Sequence, residues 1–408
     1  MHSHIPVHDL WWLAAGGASY GARYVNHRLR AARRAPPDGP AADPTEELLR
    51  LQSLFGYNAH SLVSVAPGAS AWQMPGIDGA IIYGRFGHVW LAAGDPLVSE
   101  EDLGPMVEGF VAAARRARCM AAFVPATERF ARAAVKLGLT AIKIGSAPYF
   151  ELGSWQPRGN AAKKMRSGIN QATRAGIKIE PVHDLSHELR KETAELCCEW
   201  LRTRRAATNF GWLLALDPFL QAERKKFFAA RDRDGRLVGF LAASPIPARR
   251  GWYLEDVLRR TDSPPGTADL LIFEALQALR EMRASLATLG TAPLAKDGPD
   301  KVSTHDHPMI ERALRTASKR FTPFYNFEGL HRFKGKFVPT FWESEYVLIQ
   351  RGAILPTRLA HALIRAMVPG GVTQLLTRKA IRTIGPLSSF SRLREGSHLR
   401  NGKRAKDR

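Results

Sequence analysis

Apolar residues recur at helical spacing at Leu103, Met106, Val107, Phe110 and Val111, between strand-like runs at His88 to Ala92 and Met120 to Val124. The pattern predicts a helix from about Glu100 to Arg116, linking two strands. Upstream, Gly79 to Tyr83 reads as another strand. Thr45 to Phe55 reads as a helix capped by Thr45 with Glu47 close behind. The order then returns: strands at Leu237 to Ser244 and Gly251 to Leu258, a Pro-Gly turn, a helix from Ala268 to Met282, and a strand near Leu286 to Leu289. Two passes through strand, turn, helix and strand predict a duplicated α/β unit.

Each unit has the element order of an N-acetyltransferase-like domain, in which the central helix follows the fourth strand. The fold expectation is therefore α/β (α+β), with tandem N-acetyltransferase-like domains and basic extensions at both ends. The Pro/Ala/Gly run Ala35 to Pro44 reads as a linker. It divides the chain into a basic N-terminal segment (1–44), a first domain (45–157), a second, catalytic domain (158–350) and a basic amphipathic tail (351–408).

Length agrees with this division, because 408 residues exceed what one core usually supports. The formal charge of +21 implies an anionic partner, either nucleic acid or a membrane surface. Arg158 to Lys178 contains no acidic residue, and a helix over Asn160 to Arg174 places Lys163, Arg166, Asn170 and Arg174 on one stripe beside Lys164. A solvated face and a polyanion contact both fit it. Residues 351–408 carry 13 Lys/Arg against 2 acidic residues. Within them, Ile354, Leu355, Leu359, Leu363, Ile364 and Met367 share one side of a helix with Arg358 and Arg365 elsewhere. This helix either lies on an anionic bilayer or docks on the protein body ahead of a basic tail.

Cys119, Cys197 and Cys198 form no even disulfide framework, which implies a reducing cytoplasm. His305 and His307 lack further ligands, so no metal is assigned. The apolar stretch Leu10 to Tyr20 falls short of the roughly 20 residues that a spanning helix needs. Arginines follow it, and the segment reads as an interfacial anchor or as an unstructured N-terminus.

A CoA-dependent member of this fold would hold pyrophosphate on backbone N–H groups at the start of the central helix. There the chain has Arg260-Thr-Asp-Ser-Pro-Pro-Gly-Thr-Ala-Asp269 in one unit and Gly94-Asp-Pro-Leu-Val-Ser-Glu-Glu-Asp102 in the other. Prolines remove donors and carboxylates repel phosphate, so no CoA cofactor is expected and a different acyl donor is implied.

The stretch from Trp252 to Tyr346 carries a family resemblance. Asp256-Val-Leu-Arg259, Pro264-Pro-Gly266, Ala268-Asp269-Leu270, Leu289-Gly-Thr-Ala-Pro-Leu294, Tyr325 to Leu330, Phe333 to Pro339 and Trp342-Glu343 stand in one order. With Gly94-Asp95-Pro96, Leu137-Gly138-Leu139 and Lys163 to Arg174, they resemble the C-terminal catalytic domain of the aminoacyl-phosphatidylglycerol synthases. That family is typified by phosphatidylglycerol lysyltransferase, also called multiple peptide resistance factor. The resemblance covers roughly residues 45 to 350, with His331 and Thr291 where Arg and Met are commoner. Members commonly carry an N-terminal membrane flippase domain, and no run able to span a bilayer is found here.

The resemblance implies an aminoacyltransferase that moves an amino acid, lysine or alanine, from aminoacyl-tRNA to the hydroxyl of phosphatidylglycerol or a related lipid. It would act in the cytoplasm, peripheral to the inner face of a bacterial membrane. An aminoacyl ester is already activated, so the enzyme has to position an alcohol, take its proton and stabilise an oxyanion. Asp256 is the expected base or orienting carboxylate, with Arg259 holding it or the ester, and Glu343 orients a lysine or meets the α-ammonium. Lys334 and Lys336, two apart on a strand-like segment, would clamp the lipid phosphate beside Arg332 and Trp342, with Asp269 also in the substrate site. Lys163, Lys164, Arg166 and Arg174 would bind tRNA. The alternatives are transfer to a peptidoglycan precursor or protein, acyl-CoA N-acyl transfer, and a non-catalytic membrane or nucleic-acid binder.

Overall fold

The computed structural model describes residues 44–66, 70–203, 216–300, 302, 327–350 and 356–367. The anchor expected at Leu10 to Tyr20, the pair His305 and His307, Tyr325, and the tail past 367 lie outside these residues. The first half contains α1 (Pro44–Phe55), β1 (Ser70–Trp72), β2 (Ile81–Phe86), β3 (Val89–Ala93), α2 (Leu103–Arg116), β4 (Met120–Thr127), α3 (Glu128–Lys136) and β5 (Leu139–Glu151). Then follow α4 (Lys163–Arg174), β6 (Lys178–Val182), α5 (His187–Thr203), β7 (Lys226–Arg231), β8 (Leu237–Ile246), β9 (Gly251–Arg259), α6 (Thr267–Glu281), β10 (Leu286–Thr288) and β11 (Ala292–Pro293). The last elements are α7 (Phe327–Gly335), β12 (Phe341–Gln350) and α8 (Pro356–Met367). Helix α1 starts on Pro44, whose missing N–H suits a first helical position, so Thr45 lies inside the first turn and not before it.

All strands join one mixed sheet in the order β1-β2-β3-β4-β12-β5-β10-β9-β8-β7-β6, with β11 added on β5. The duplication is visible in the pairing. In one half β1, β2 and β3 form an antiparallel meander, and α2 returns the chain so that β4 lies parallel to β3. In the other, β7, β8 and β9 repeat the meander, and α6 returns the chain so that β10 lies parallel to β9. This is the tandem N-acetyltransferase-like arrangement, in a mixed α/β sheet. We propose the division near residue 157 for the two units, with the sheet running continuously across it.

The halves exchange strands. The C-terminal β12 inserts between β4 and β5 of the first half, while the end of β5 pairs with β10 of the second. Alternation along each strand then serves two cores. Ala121 and Phe123 face α2 and α3, whereas Met120, Ala122 and Val124 face the opposite side. Leu241 and Ala243 face α4 and α6, whereas Phe240 and Ala242 face α5. Helices α2, α3, α4 and α6 thus share one face, and α1, α5 and α8 share the other.

Helix α8 packs on the sheet. Leu359, Ala362 and Ala366 are buried with Val89, Leu91, Ile142, Val347 and Ile349 of the sheet. The described part of its apolar side is therefore covered by the protein, while Arg358, His361 and Arg365 point outward; Ile354 and Leu355 lie outside the described residues.

Candidate functional site

Strands β9 and β10 pair only through Gly251–Tyr253 and Leu286–Thr288. Beyond Thr288 the chain bends at Gly290 towards β5, and a gap opens between the strand ends. Gly290 has a left-handed φ of +70°, and a Cβ there would meet the Tyr253 ring at 2.5 Å, so glycine is required twice over. Lys334 reaches into this gap from α7. Its Nζ donates to the carbonyls of Gly290 at 2.8 Å and Thr291 at 2.7 Å. Burial lowers its pKa to about 7.

Glu345, from β12, lies close enough to feel that charge. It is 4% exposed, and burial raises its pKa to about 7 against the Thr291 hydroxyl and the Lys334 ammonium, which favour the ionised form. Its Oε2 has no hydrogen-bond partner among the described residues. His60 contacts Tyr253 with ring centroids 5.1 Å apart. Burial, and secondarily the Lys334 charge, lower its pKa to about 4.

Two residues before Glu345 on the same face, Glu343 forms an ion pair with Arg249 at 2.9 Å. The guanidinium lies 4.2 Å from the Tyr149 ring centroid and 4.8 Å from that of Tyr57. Burial raises the Glu343 pKa despite Arg249. Glu343 is thus held in place by protein groups. Nearby, Asp95 of the Gly-Asp-Pro turn accepts from Thr127 N at 3.0 Å, Thr127 Oγ1 at 2.6 Å and Asn58 Nδ2 at 3.1 Å.

Asp256 belongs to a second cluster on that face, two to three residues past the last β9–β10 pair. The register between β8 and β9 shifts so that Glu255 is an inserted residue, a β-bulge. Glu255 pairs with the buried Lys225 and accepts from Ser244 Oγ at 2.5 Å. Burial, then the adjacent Glu255 charge, push the Asp256 carboxyl well above the usual range, so its protonated form is favoured. Arg259 does not hold Asp256. It is exposed and donates to the Arg260 carbonyl at 3.1 Å and Ser263 Oγ at 3.4 Å.

The strand expected around Lys334 is instead helix α7, and the two lysines do not stand side by side. Lys336, just past the helix, ion-pairs with Asp269 and lies 4.2 Å from the Phe333 ring centroid. Asp269 sits in the first turn of α6, where α4 closes over the helix start. A Cβ on Gly266 would lie 1.8 Å from the Gly168 carbonyl oxygen, and one on Gly168 would lie 2.1 Å from Asp269 Oδ2. The position at which a pyrophosphate would meet the N–H groups of α6 is occupied by the α4 backbone.

Trp342 packs on His331 with ring centroids 4.9 Å apart, and His331 Nε2 lies 2.6 Å from Asp297. Arg332 is exposed, 3.4 Å from Glu328. Lys163, Lys164, Arg166 and Arg174 all stand exposed on the outer side of α4, with Arg166 also donating to the Gly159 carbonyl at 2.8 Å. Among the described residues no cluster of three metal-ligating side chains occurs, and no helix is long and apolar enough to cross a membrane.

Of the residues singled out by sequence, Lys334 and Glu343 lie around one junction on the sheet, with Asp256 beside it. Lys225, Arg249, His60 and Glu345 were not singled out, and Thr291 stood out only as a departure from the family pattern. Glu345 left one signal, a second carboxylate two residues after Glu343 at the start of a strand-like apolar run, Tyr346 to Ile349.

Residues 55–349 match the family described as phosphatidylglycerol lysyltransferase, C-terminal. The bifunctional lysylphosphatidylglycerol biosynthesis protein LysX of Rhodococcus jostii is 24% identical over 267 residues, which are 64% of this chain and 23% of that protein. The phosphatidylglycerol lysyltransferase of Staphylococcus epidermidis is 21% identical over 279 residues, 67% of this chain and 32% of the relative. The chain thus spans about a quarter to a third of the length of these relatives. Among solved structures, the C-terminal domain of a proposed lysylphosphatidylglycerol synthetase from Agrobacterium fabrum superposes with a TM-score of 0.65 at 25% identity, covering 79% of this chain and 96% of that one. L-PGS from Bacillus licheniformis shares the fold with a TM-score of 0.66 at 19% identity, covering 84% and 99%.

Proposed function

The chain belongs to the phosphatidylglycerol lysyltransferase C-terminal family, and from that premise we propose that it transfers an aminoacyl group from aminoacyl-tRNA to the hydroxyl of phosphatidylglycerol. The observation that carries this reading is Lys334, a buried ammonium at the mouth of the β9–β10 gap. Two of its three N–H directions are taken by the Gly290 and Thr291 carbonyls. Among the described residues no acceptor takes the third, which we place against the oxygen on which charge develops when the ester carbonyl is attacked. In a site that excludes water such a donor is strongly effective, because it needs no reorganisation as the charge forms.

The remaining groups have parts in the same scheme. Glu255, held by Lys225, and Asp256 line the gap on the α5 side and offer oxygens to the ammonium of an incoming amino acid, and we take lysine, the amino acid of the family's description, as the transferred residue. We take Asp256 there as an orienting group, its carboxyl pushed well above the usual range by burial and by the adjacent Glu255. The exposed stripe Lys163, Lys164, Arg166 and Arg174 supplies the cations that a tRNA backbone needs. Arg332 and Trp342 are proposed to face the lipid headgroup, while Glu343 fixes Arg249 against Tyr57 and Tyr149. The coverage of the α6 N terminus by α4 counts against a CoA donor.

The test is a purified assay with lysyl- or alanyl-tRNA and phosphatidylglycerol vesicles, read as aminoacylated lipid. Lys334→Met, which keeps the buried stem, is expected to lower kcat about 100- to 1,000-fold, the usual effect of losing one oxyanion donor. No lipid product with any charged tRNA overturns the proposal. Product only when the vesicles are replaced by a peptidoglycan precursor moves the acceptor.

A further inference from the structure

Resting on the reading above, we propose that Glu345 is the general base of the transfer, taking the proton of the attacking hydroxyl on its Oε2. The placement is the first argument. Glu345 stands beside the β9–β10 gap, hydrogen-bonded by Thr291 and within reach of the Lys334 charge, on the face that also carries His60, Tyr57 and Arg249. The second argument is its vacant oxygen. A carboxylate oxygen buried without a donor is costly unless a ligand supplies one, and Oε2 has none among the described residues.

The other carboxyls around the junction are engaged. Glu343 is paired with Arg249, Asp95 accepts three hydrogen bonds, and Glu255 is paired with Lys225. Asp256 stands in the other cluster, among Glu255, Lys225 and Asp217, and Lys334 is not among the charges that act on it. Among the described residues, Glu345 is the carboxyl with an open acceptor next to Lys334.

The step balances with the groups present. The acceptor hydroxyl loses its proton to Glu345 Oε2 as its oxygen bonds to the ester carbonyl carbon, and the carbonyl oxygen becomes an oxyanion facing the Lys334 ammonium. Collapse of this adduct breaks the bond to the ribose oxygen, which takes the proton back from Glu345. The carboxylate is regenerated. Nothing is oxidised or reduced, and no co-reactant is required.

Glu345 faces Lys334 from α7, Thr291 from the turn after β10, Glu343 from its own strand, and Asp95 from the turn after β3. The base must be ionised and Lys334 protonated, and both titrate near 7. The wild-type rate is therefore expected to rise with pH through an acid limb owed to Glu345 and to fall through a basic limb owed to Lys334. The two limbs belong to the interacting pair.

The experiment compares wild type and Glu345→Gln in the tRNA and phosphatidylglycerol vesicle assay from pH 5.5 to 8.5, with melting curves as a check on folding. Gln is isosteric and removes a buried charge, so the fold is expected to survive. The expected result is a kcat about 100-fold or more below wild type, little change in KM for the lipid, and loss of the acid limb with the basic limb retained. Glu345→Asp should keep the acid limb at an intermediate rate. An equally active Glu345→Gln, or one that raises KM while keeping the acid limb, overturns the assignment. A wild type without turnover sinks the transferase reading itself, whereas an active wild type beside an active Glu345→Gln sinks only this step.

Discussion

Lys334 and Glu345 are buried in the same small volume, yet the lysine gives two N–H groups to backbone carbonyls and not to the carboxylate. Each charge is poorly solvated, which is why both groups titrate near neutrality. That poise suits proton transfer better than a closed ion pair would. His60 records the same environment. Its pKa is lowered from 6.5 to about 4, so between those values the unfolded chain binds a proton that the folded chain refuses. The stability owed to this residue is present above pH 6.5 and is lost as the pH falls towards 4. Allowing for its partial exposure, the contribution is on the order of 2 kcal/mol. Urea unfolding at pH 7 and pH 4.5 should show a smaller acid loss in His60→Gln than in wild type by that amount. Equal losses would mean that His60 is solvated. At this scale the sequence marked Lys334 through its motif, but Glu345 and His60 acquire chemistry only from neighbours far along the chain.

Among the elements, α4 packs over the N terminus of α6, at the position where a pyrophosphate would meet the helix. The contact depends on glycines, because Gly168 and Gly266 let two backbones approach where any Cβ would collide. Gly168→Val is expected to lower stability by about 1–3 kcal/mol through overpacking against Asp269 and its Lys336 partner. A urea midpoint equal to wild type would show that α4 does not sit on α6 as described. Periodicity misled at α7. Phe333 and Phe337 are four apart, a spacing that fits a strand of period two and a helix of period 3.6 alike. The two rings pack edge to face at 5.6 Å on the core below, and that contact requires the helical choice. The same limit applied to α8, where amphipathicity revealed an apolar side but not whether lipid or protein would cover it.

Across the whole molecule, strand exchange makes the two halves interdependent. Without β12, strands β4 and β5 would face each other across an empty lane, each with a ladder of unpaired N–H and C=O groups. Residues 44–157 expressed alone should therefore show no cooperative thermal transition, and should recover one when co-expressed with residues 158–367. A fragment that melts cooperatively by itself contradicts this. The exchange also builds the site, since β12 carries Glu343 and Glu345 to a junction lined by Tyr57 and His60 of the first half and Arg249 of the second.

Local pattern was enough for the duplicated order of strands and helices, the basic stripe on α4 and the Pro-Pro-Gly turn that is poor for pyrophosphate, because each depends on residues within a few positions of one another. The family motifs, and not the periodicity, singled out Lys334 and Asp256. Tertiary structure alone decided that β12 completes the other half of the sheet, that α8 is covered, that Arg259 turns away from Asp256, and that Glu345 keeps an open oxygen beside Lys334. These are pairings between residues tens to hundreds of positions apart, and the burial that sets their charge states exists only once the halves have exchanged strands.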